Sequence, residues 1–575
     1  ARGYHSSLLH SRRRCASPSQ TPSTLEPARR QQRMKLFFRV CAVTTSNEEN
    51  PSASVLPGLG ETLPEHPLLR RGRLRSNGLR YVLLPNTVPP HRFEAHLEMH
   101  VGSVDEAKDE QGLAHLVEHV TFLGSRKREA LLGTGTRSNA YTDFHHTVFH
   151  VHAPNVNSVT GQAMLPQVLD ALREIAFEPQ LLPSRLEKER RAVLAEMQMM
   201  NTIDYRVDVQ LLTYLHEENA LGCRFPIGLE EQIKKWTRED LVAFHAKWYF
   251  PANATLYVVG DFENAADVER LIEDTFGDLP HLVRDDGSVA SRHEVRPPVE
   301  HVYGNMARNA RAYTGARSPQ DPAGEASLVV EEDPVTVQPS IYRHPLLHEF
   351  SINMFCKLPI MKVETLEDLK RSFIGRVVLS VLKFRLNSHF ATSDELKMTS
   401  FDLDFSDSGR EGCTVTTLTV TSEPKHWKEA IQLAVTEVRR MKEFGITHSE
   451  YKHYCAALLR DSRQLAEQSG TVPSIDNLDF VMESDALGHI VMDQKQSHEA
   501  LESIVPFVKL DEVNAYARSI LSYIACFGDE KGMLGEYQAS GTNGSGNDSY
   551  AMDMGPTRAT SIVTCIPAYV DKEGE

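Results

Sequence analysis

One order of elements is written twice along the 575 residues, and it limits the chain to a narrow set of folds. In the first pass, "FEAHLEMHVGS" (93–103) alternates with period two as a strand does. A helix follows in "EQGLAHLVEHVTFLGS" (110–125), then strand sequence in "RSNAYTDFHHTVFHVHA", with period two from Tyr141 onward. Helices near 158–176 and 184–202 come next, the second started by Pro183. In the second pass, "EFSINMFCKLP" is a strand, 365–388 a helix, "MTSFDLDFSD" and "CTVTTLTVTS" strands, and 424–444 and 448–468 helices. The shared order, strand–helix–strand–strand–helix–helix, points to a degenerate duplication. Strands of this kind need helices over them. The expected fold is therefore α+β, with two related domains, each a mostly antiparallel sheet packed with helices.

Around this core the sequence is segmented. Residues 1–42 set Arg2, Arg12, Arg13, Arg14, Arg29, Arg30, Arg33, Lys35 and Arg39 against a single acid, Glu26. Arg-rich, Ser-rich and acid-poor composition marks an organelle transit peptide, and "RVCA" (39–42) looks like a plastid cleavage site. A disordered basic tail or a translated leader has the same composition. Residues 43–73 are polar and interrupted by Pro and Gly, a linker. The first domain is expected over 74–283, opening with Asn77-Gly78 between apolar runs, a hairpin signal. It closes with the helix, Pro stop and buried strand of "REDLVAFHAKWYFPANATLYVVGDF". Residues 284–344 read as the linker between domains and 345–535 as the second domain. Residues 536–575 read as a linker and the start of a truncated further region, in which "SIVTCIPAYV" would be the first strand.

The formal charge of -16 excludes nucleic acid as the main partner, because phosphate binding needs a basic surface. A basic substrate suits it better. No apolar run approaches the roughly 20 residues of a membrane span. The eight cysteines hold no CxxC pair, which argues against a disulfide scaffold or thiolate zinc knuckle and for a reducing compartment.

The helix of 110–125 carries the chemistry. Leu113, Leu116, Val117 and Val120 form one stripe, and His115, Glu118, His119 and Phe122 the opposite one. An ordinary solvated face has that form too. Imidazoles at i and i+4 nevertheless point at one spot, as zinc requires, and Glu118 lies beside the ion's open position. His-x-x-Glu-His is the inverted zincin signature. A third ligand is needed. Glu189 and Glu196 in "LEKERRAVLAEMQMM" are seven apart, so they share a helix face; two solvated acids on a charged helix would look alike.

These residues resemble the pitrilysin family of zinc endopeptidases. The match runs through His115-x-x-Glu118-His119, "ERRAVLAE", "RSNAYTDFHHTVF" and "RFPIGLEEQIKKWTREDLVAFHAKWYFPANATLYVVGDF", densely over 74 to about 275. The weaker stretch 345–535 resembles the family's inert repeat. The resemblance implies zinc held by His115, His119 and Glu196, with Glu118 as general base and Glu189 holding a ligating histidine. Asn139 and Ala140 would line a polypeptide added as an extra strand. His145 and His146 read as strand histidines before ligands. "HVTFLGSRKREALLGTGTRSNAYTDFHHTVFH" is similar to plastid members of the family that remove basic transit peptides from imported precursors. That implies a stromal location, with the mitochondrial matrix as the alternative. The other readings are an organellar enzyme degrading presequences or oligopeptides, and a non-catalytic scaffold subunit of the same family. Members of this type carry two further domains, with an Arg/Tyr pair that polarises the scissile carbonyl. The resemblance therefore implies that the chain is a fragment.

Overall fold

In the computed structural model, residues 58–281, 299–304, 337–392, 399–528 and 557–570 are described. The leader expected over 1–42, the stretch 536–556 and most of 284–344 lie outside them.

The first sheet contains β1 (Arg70–Arg73), β2 (Arg80–Pro85), β3 (Arg92–Met99), β4 (Arg137–Thr142), β5 (Thr147–Pro154) and β6 (Ala254–Gly260). Their order is β1-β2-β6-β3-β5-β4, with β2 and β6 parallel and the other neighbours antiparallel. The second sheet contains β7 (Ser340–His344), β8 (Phe350–Pro359), β9 (Ser400–Ser408), β10 (Cys413–Ser422) and β11 (Ser561–Pro567), ordered β7-β11-β8-β10-β9. Here too one pair, β7 with β11, is parallel and the rest antiparallel. Strand for strand, β7-β11-β8-β10-β9 repeats β2-β6-β3-β5-β4. The duplication is a matter of hydrogen-bond pattern, not only of element order.

Three expectations change. "SIVTCIPAYV" does not open a further region: β11 is buried along its whole length and hydrogen-bonded to β8 on one side and β7 on the other. It is the counterpart of β6, brought back to the sheet from beyond 536–556. The spans read as linkers, 43–73 and 284–344, contribute β1 and β7, and Thr62 bridges Thr365 of the second half. The stretch 137–153 is a hairpin rather than one strand. Asp143 Oδ1 accepts the backbone N–H of His145 (2.7 Å) and His146 (2.8 Å), turning the chain between β4 and β5.

Helices cover both sheets. In the first half α1 (Leu113–Gly124), α2 (Met164–Phe177), α3 (Pro183–Met200), α4 (Ile203–Leu215), α5 (Arg238–Trp248) and α6 (Ala265–Phe276) appear in that order. The second half has α7 (Leu366–Thr392), α8 (Trp427–Phe444), α9 (His448–Glu467), α10 (Ser474–Leu487), α11 (Gln494–Ile504) and α12 (Leu510–Ile520). α4 and α10 follow equivalent helix pairs, and each leaves its own half. Leu478, Val481 and Met482 of α10 pack on Val82, Leu84, Tyr257 and Val259 of the first sheet. Leu211 and Leu215 of α4 pack on Phe355, Val415 and Val563 of the second. The halves therefore exchange helices reciprocally, as two-fold partners do. Each fully buried aliphatic at these contacts is worth about 1.5–3 kcal/mol. Among the described residues no helix is long and apolar enough to cross a membrane.

Candidate metal centre

α1 is buried all round. Every residue from Leu113 to Phe122 is buried, so the His/Glu stripe faces protein, not solvent. Its apolar stripe joins the first-half core, while the polar stripe faces α3. Side chains satisfy backbone groups left open at both ends of α1. At the N-terminus, Glu106 accepts the Gly112 N–H at 3.0 Å and the Ala114 N–H at 2.8 Å. At the C-terminus, Arg128 Nε donates to the Phe122 carbonyl at 2.9 Å, and Arg185 donates to the Leu123 carbonyl. The start of α1 also needs glycine. Gly112 has φ +95° and Gly228 φ +75°, and a Cβ on Gly228 would lie 2.3 Å from the Gly112 Cα. The Pro226-Ile227-Gly228 loop can seat against α1 only because both lack a side chain.

Across the α1–α3 contact His115, His119 and Glu196 offer ligand atoms that all lie within 4.8 Å of one another. Glu196 Oε2 is 3.7 Å from His115 Nε2 and 3.5 Å from His119 Nε2. Two imidazole nitrogens and a carboxylate oxygen so placed fit the donor set of a three-ligand, water-open metal site. Glu118 Oε2 is 3.9 Å from His115 Nε2, and the Thr142 hydroxyl, at the end of β4, donates to it at 3.4 Å. Glu189, itself buried, places Oε2 3.6 Å from His119 Nδ1. Burial alone would push the His119 imidazole down, but Glu189 and Glu196 outweigh it and lift the group to about 10. The site draws positive charge, which a proton or a metal ion can supply.

Asn139 and Ala140 lie on β4, an edge of the first sheet, paired through β5 with His150 and Phe149. Among the described residues no strand pairs with the outer edge of β4, which runs on to Thr142, the partner of Glu118. His145 and His146 are buried in the β4–β5 turn, His146 Nδ1 being 2.9 Å from Asp143 Oδ1, and neither joins the metal group. A second group, His216, Glu218 and His301, also brings its atoms together. There the ammonium of buried Lys357 pairs with Glu218. Against the effect of burial, His301 and Lys357 hold that carboxyl down to about 2. A lysine already supplies the cation at that place.

Glu106 and Thr142 carried no readable signal, since their partners lie 6 to 24 residues away and no period links them. Arg185, though at the helical i, i+4 spacing from Glu189, meets Leu123 across 62 residues.

Comparison with known proteins bears on the family and the fold. The family model "Insulinase (Peptidase family M16)" matches residues 81–222, and "Peptidase M16 inactive domain" matches 235–458. The chloroplastic stromal processing peptidase of Pisum sativum is 52% identical over 510 residues, covering 82% of this chain and 38% of the relative. Its Arabidopsis thaliana counterpart is 52% identical over 496 residues, covering 84% and 39%. The chain thus spans under two-fifths of the length of these relatives. The crystal structure of the periplasmic protease PqqL from Escherichia coli superimposes with TM-score 0.64 at 19% identity, covering 80% of this chain and 47% of that one. Pitrilysin superimposes with TM-score 0.54 at 16% identity, covering 88% and 46%. With the family's active and inactive models matched in succession along 81–458, the chain belongs to the insulinase family of peptidases, M16.

Proposed function

We propose that the chain is the metal-bearing part of a zinc metalloendopeptidase that removes basic transit peptides from precursors imported into the plastid stroma. The observation that carries this reading is the convergence of His115, His119 and Glu196 on one point, with Glu118 beside it. The 52% identity to chloroplastic stromal processing peptidases supports the substrate and the location. The charge of -16 suits a basic substrate.

His115, His119 and Glu196 would hold zinc, which when bound supplies Lewis acidity to a water and to the scissile carbonyl. Glu118 accepts the proton of the attacking water and passes it to the departing amine, so it must be ionised at the start of each turnover. Thr142 steadies that carboxylate from the end of β4. Glu189 keeps the His119 ring turned with Nε2 toward the site. The edge of β4 at Asn139 and Ala140 offers backbone N–H and C=O groups to an extended peptide, giving affinity without much sequence demand.

Glu118→Gln keeps the shape and loses the base. The expected result is loss of cleavage of a transit-peptide precursor with the zinc content unchanged. Full activity in that variant would remove Glu118 from the mechanism.

A further inference from the structure

One side chain ties the C-terminal end of α1 to the first turn of α3. Arg185 donates through Nη2 to the carbonyl of Leu123, one of the last carbonyls of α1, which lack a donor within their own helix. Through Nη1 it donates to Glu189 Oε1 at 3.2 Å. The other oxygen of that carboxylate, Oε2, is the atom 3.6 Å from His119 Nδ1. The Glu189 side chain is 3% exposed and that of Arg185 20%. A carboxylate so deeply buried needs a partner on each oxygen, or it costs several kcal/mol.

Resting on the metal reading above, we infer that Arg185 is a positioning residue for the metal centre. It acts at one remove. By pinning Oε1 it fixes the plane of the Glu189 carboxylate, so that Oε2 faces Nδ1 and His119 presents Nε2 to the point shared with His115 and Glu196. The Leu123 carbonyl holds the far side of the guanidinium and so keeps Nη1 on Oε1. A planar guanidinium can serve both acceptors together, whereas the single ammonium of lysine must favour one. Without Arg185 the carboxylate can turn, Oε2 no longer faces Nδ1 and the imidazole can rotate away.

The test is the rate at which the zinc-loaded chain gives up metal to excess chelator, followed with a zinc-sensitive dye. Arg185→Gln should release zinc about tenfold faster than the wild type or more, the usual scale for groups that orient a ligand. Arg185→Lys should fall between the two. Glu189→Gln should also be fast, and the Arg185→Gln/Glu189→Gln pair should be no faster than Glu189→Gln alone, because both changes break one relay. A general loosening of the helices would instead multiply the two effects, and that result would overturn the inference. Release at the wild-type rate from both Arg185→Gln and Arg185→Lys would overturn it as well. Lysine keeps the charge and most of the bulk, so the comparison survives if the glutamine variant does not fold. A wild-type chain that takes up no zinc would sink the metal reading itself, and this inference with it.

Discussion

His119 is the most constrained side chain of the site. It is itself buried and lies between two carboxylates, Glu189 at Nδ1 and Glu196 at Nε2. Glu118 is different in kind, because it touches the site without completing the ligand set. Its conversion to glutamine should therefore lower kcat by about 10²–10⁴, the range for loss of a general base, and leave metal affinity near the wild-type value. That His115 and His119 are neighbours was legible because helical spacing converts i and i+4 into proximity, and the likeness to known sequences pointed to Glu196 beside them. What could not be read was support from a distance. Glu98 in β3 meets Arg410 in the turn between β9 and β10 at 3.1 Å across 312 residues. Chain-local pattern says nothing about such a pair.

At the scale of elements, the period-two strands and the helix start at Pro183 could be read, since each rests on a local rule. The pattern failed where burial came from a neighbour. Both faces of α1 are buried, so its polar stripe imitates a solvated one, and β6 and β11 are buried on both faces and carry no alternation to reveal their sheet. α1 also depends on the Gly112–Gly228 contact. Gly228→Ala would add a Cβ 2.3 Å from the Gly112 Cα at a positive φ. The variant should lose about 1–3 kcal/mol of stability and bind metal less tightly, because the start of the ligand helix must shift. Denaturant melts and a metal titration on one sample measure both effects, and a wild-type result in both would show that the loop does not position α1.

The whole molecule is two copies of one sheet plan locked by exchanged helices. The lock has charged bolts as well as apolar faces. Lys357 of β8 donates to the carbonyl of Leu215, the last residue of α4, at 2.6 Å and pairs with Glu218 just past it, and Arg410 joins Glu98 to Glu483 of α10. Lys357→Met leaves half-buried Glu218 with His301 but without its lysine and should cost about 1–3 kcal/mol at neutral pH. Acid should have a related effect. The folded state holds Glu218 down to about 2 and, against burial, Arg410 and His100 hold Glu98 well below 4.5. Their stabilising contribution is complete above the free value of 4.5 and is lost as pH falls from there toward 2. In Lys357→Met much of that loss should already have occurred, so its stability should change less between pH 5 and 3; an unchanged pH slope would mean that Lys357 does not bind Glu218 in solution.

The account stands on a single metal ion held by His115, His119 and Glu196, and X-ray absorption at the zinc edge reads that ligand set directly. The zinc-loaded chain should show imidazole nitrogen and carboxylate or water oxygen at about 2.0–2.2 Å, with the carboxylate contribution removed in Glu196→Ala. Sulfur neighbours at about 2.3 Å, or a spectrum unaltered by that substitution, would contradict it.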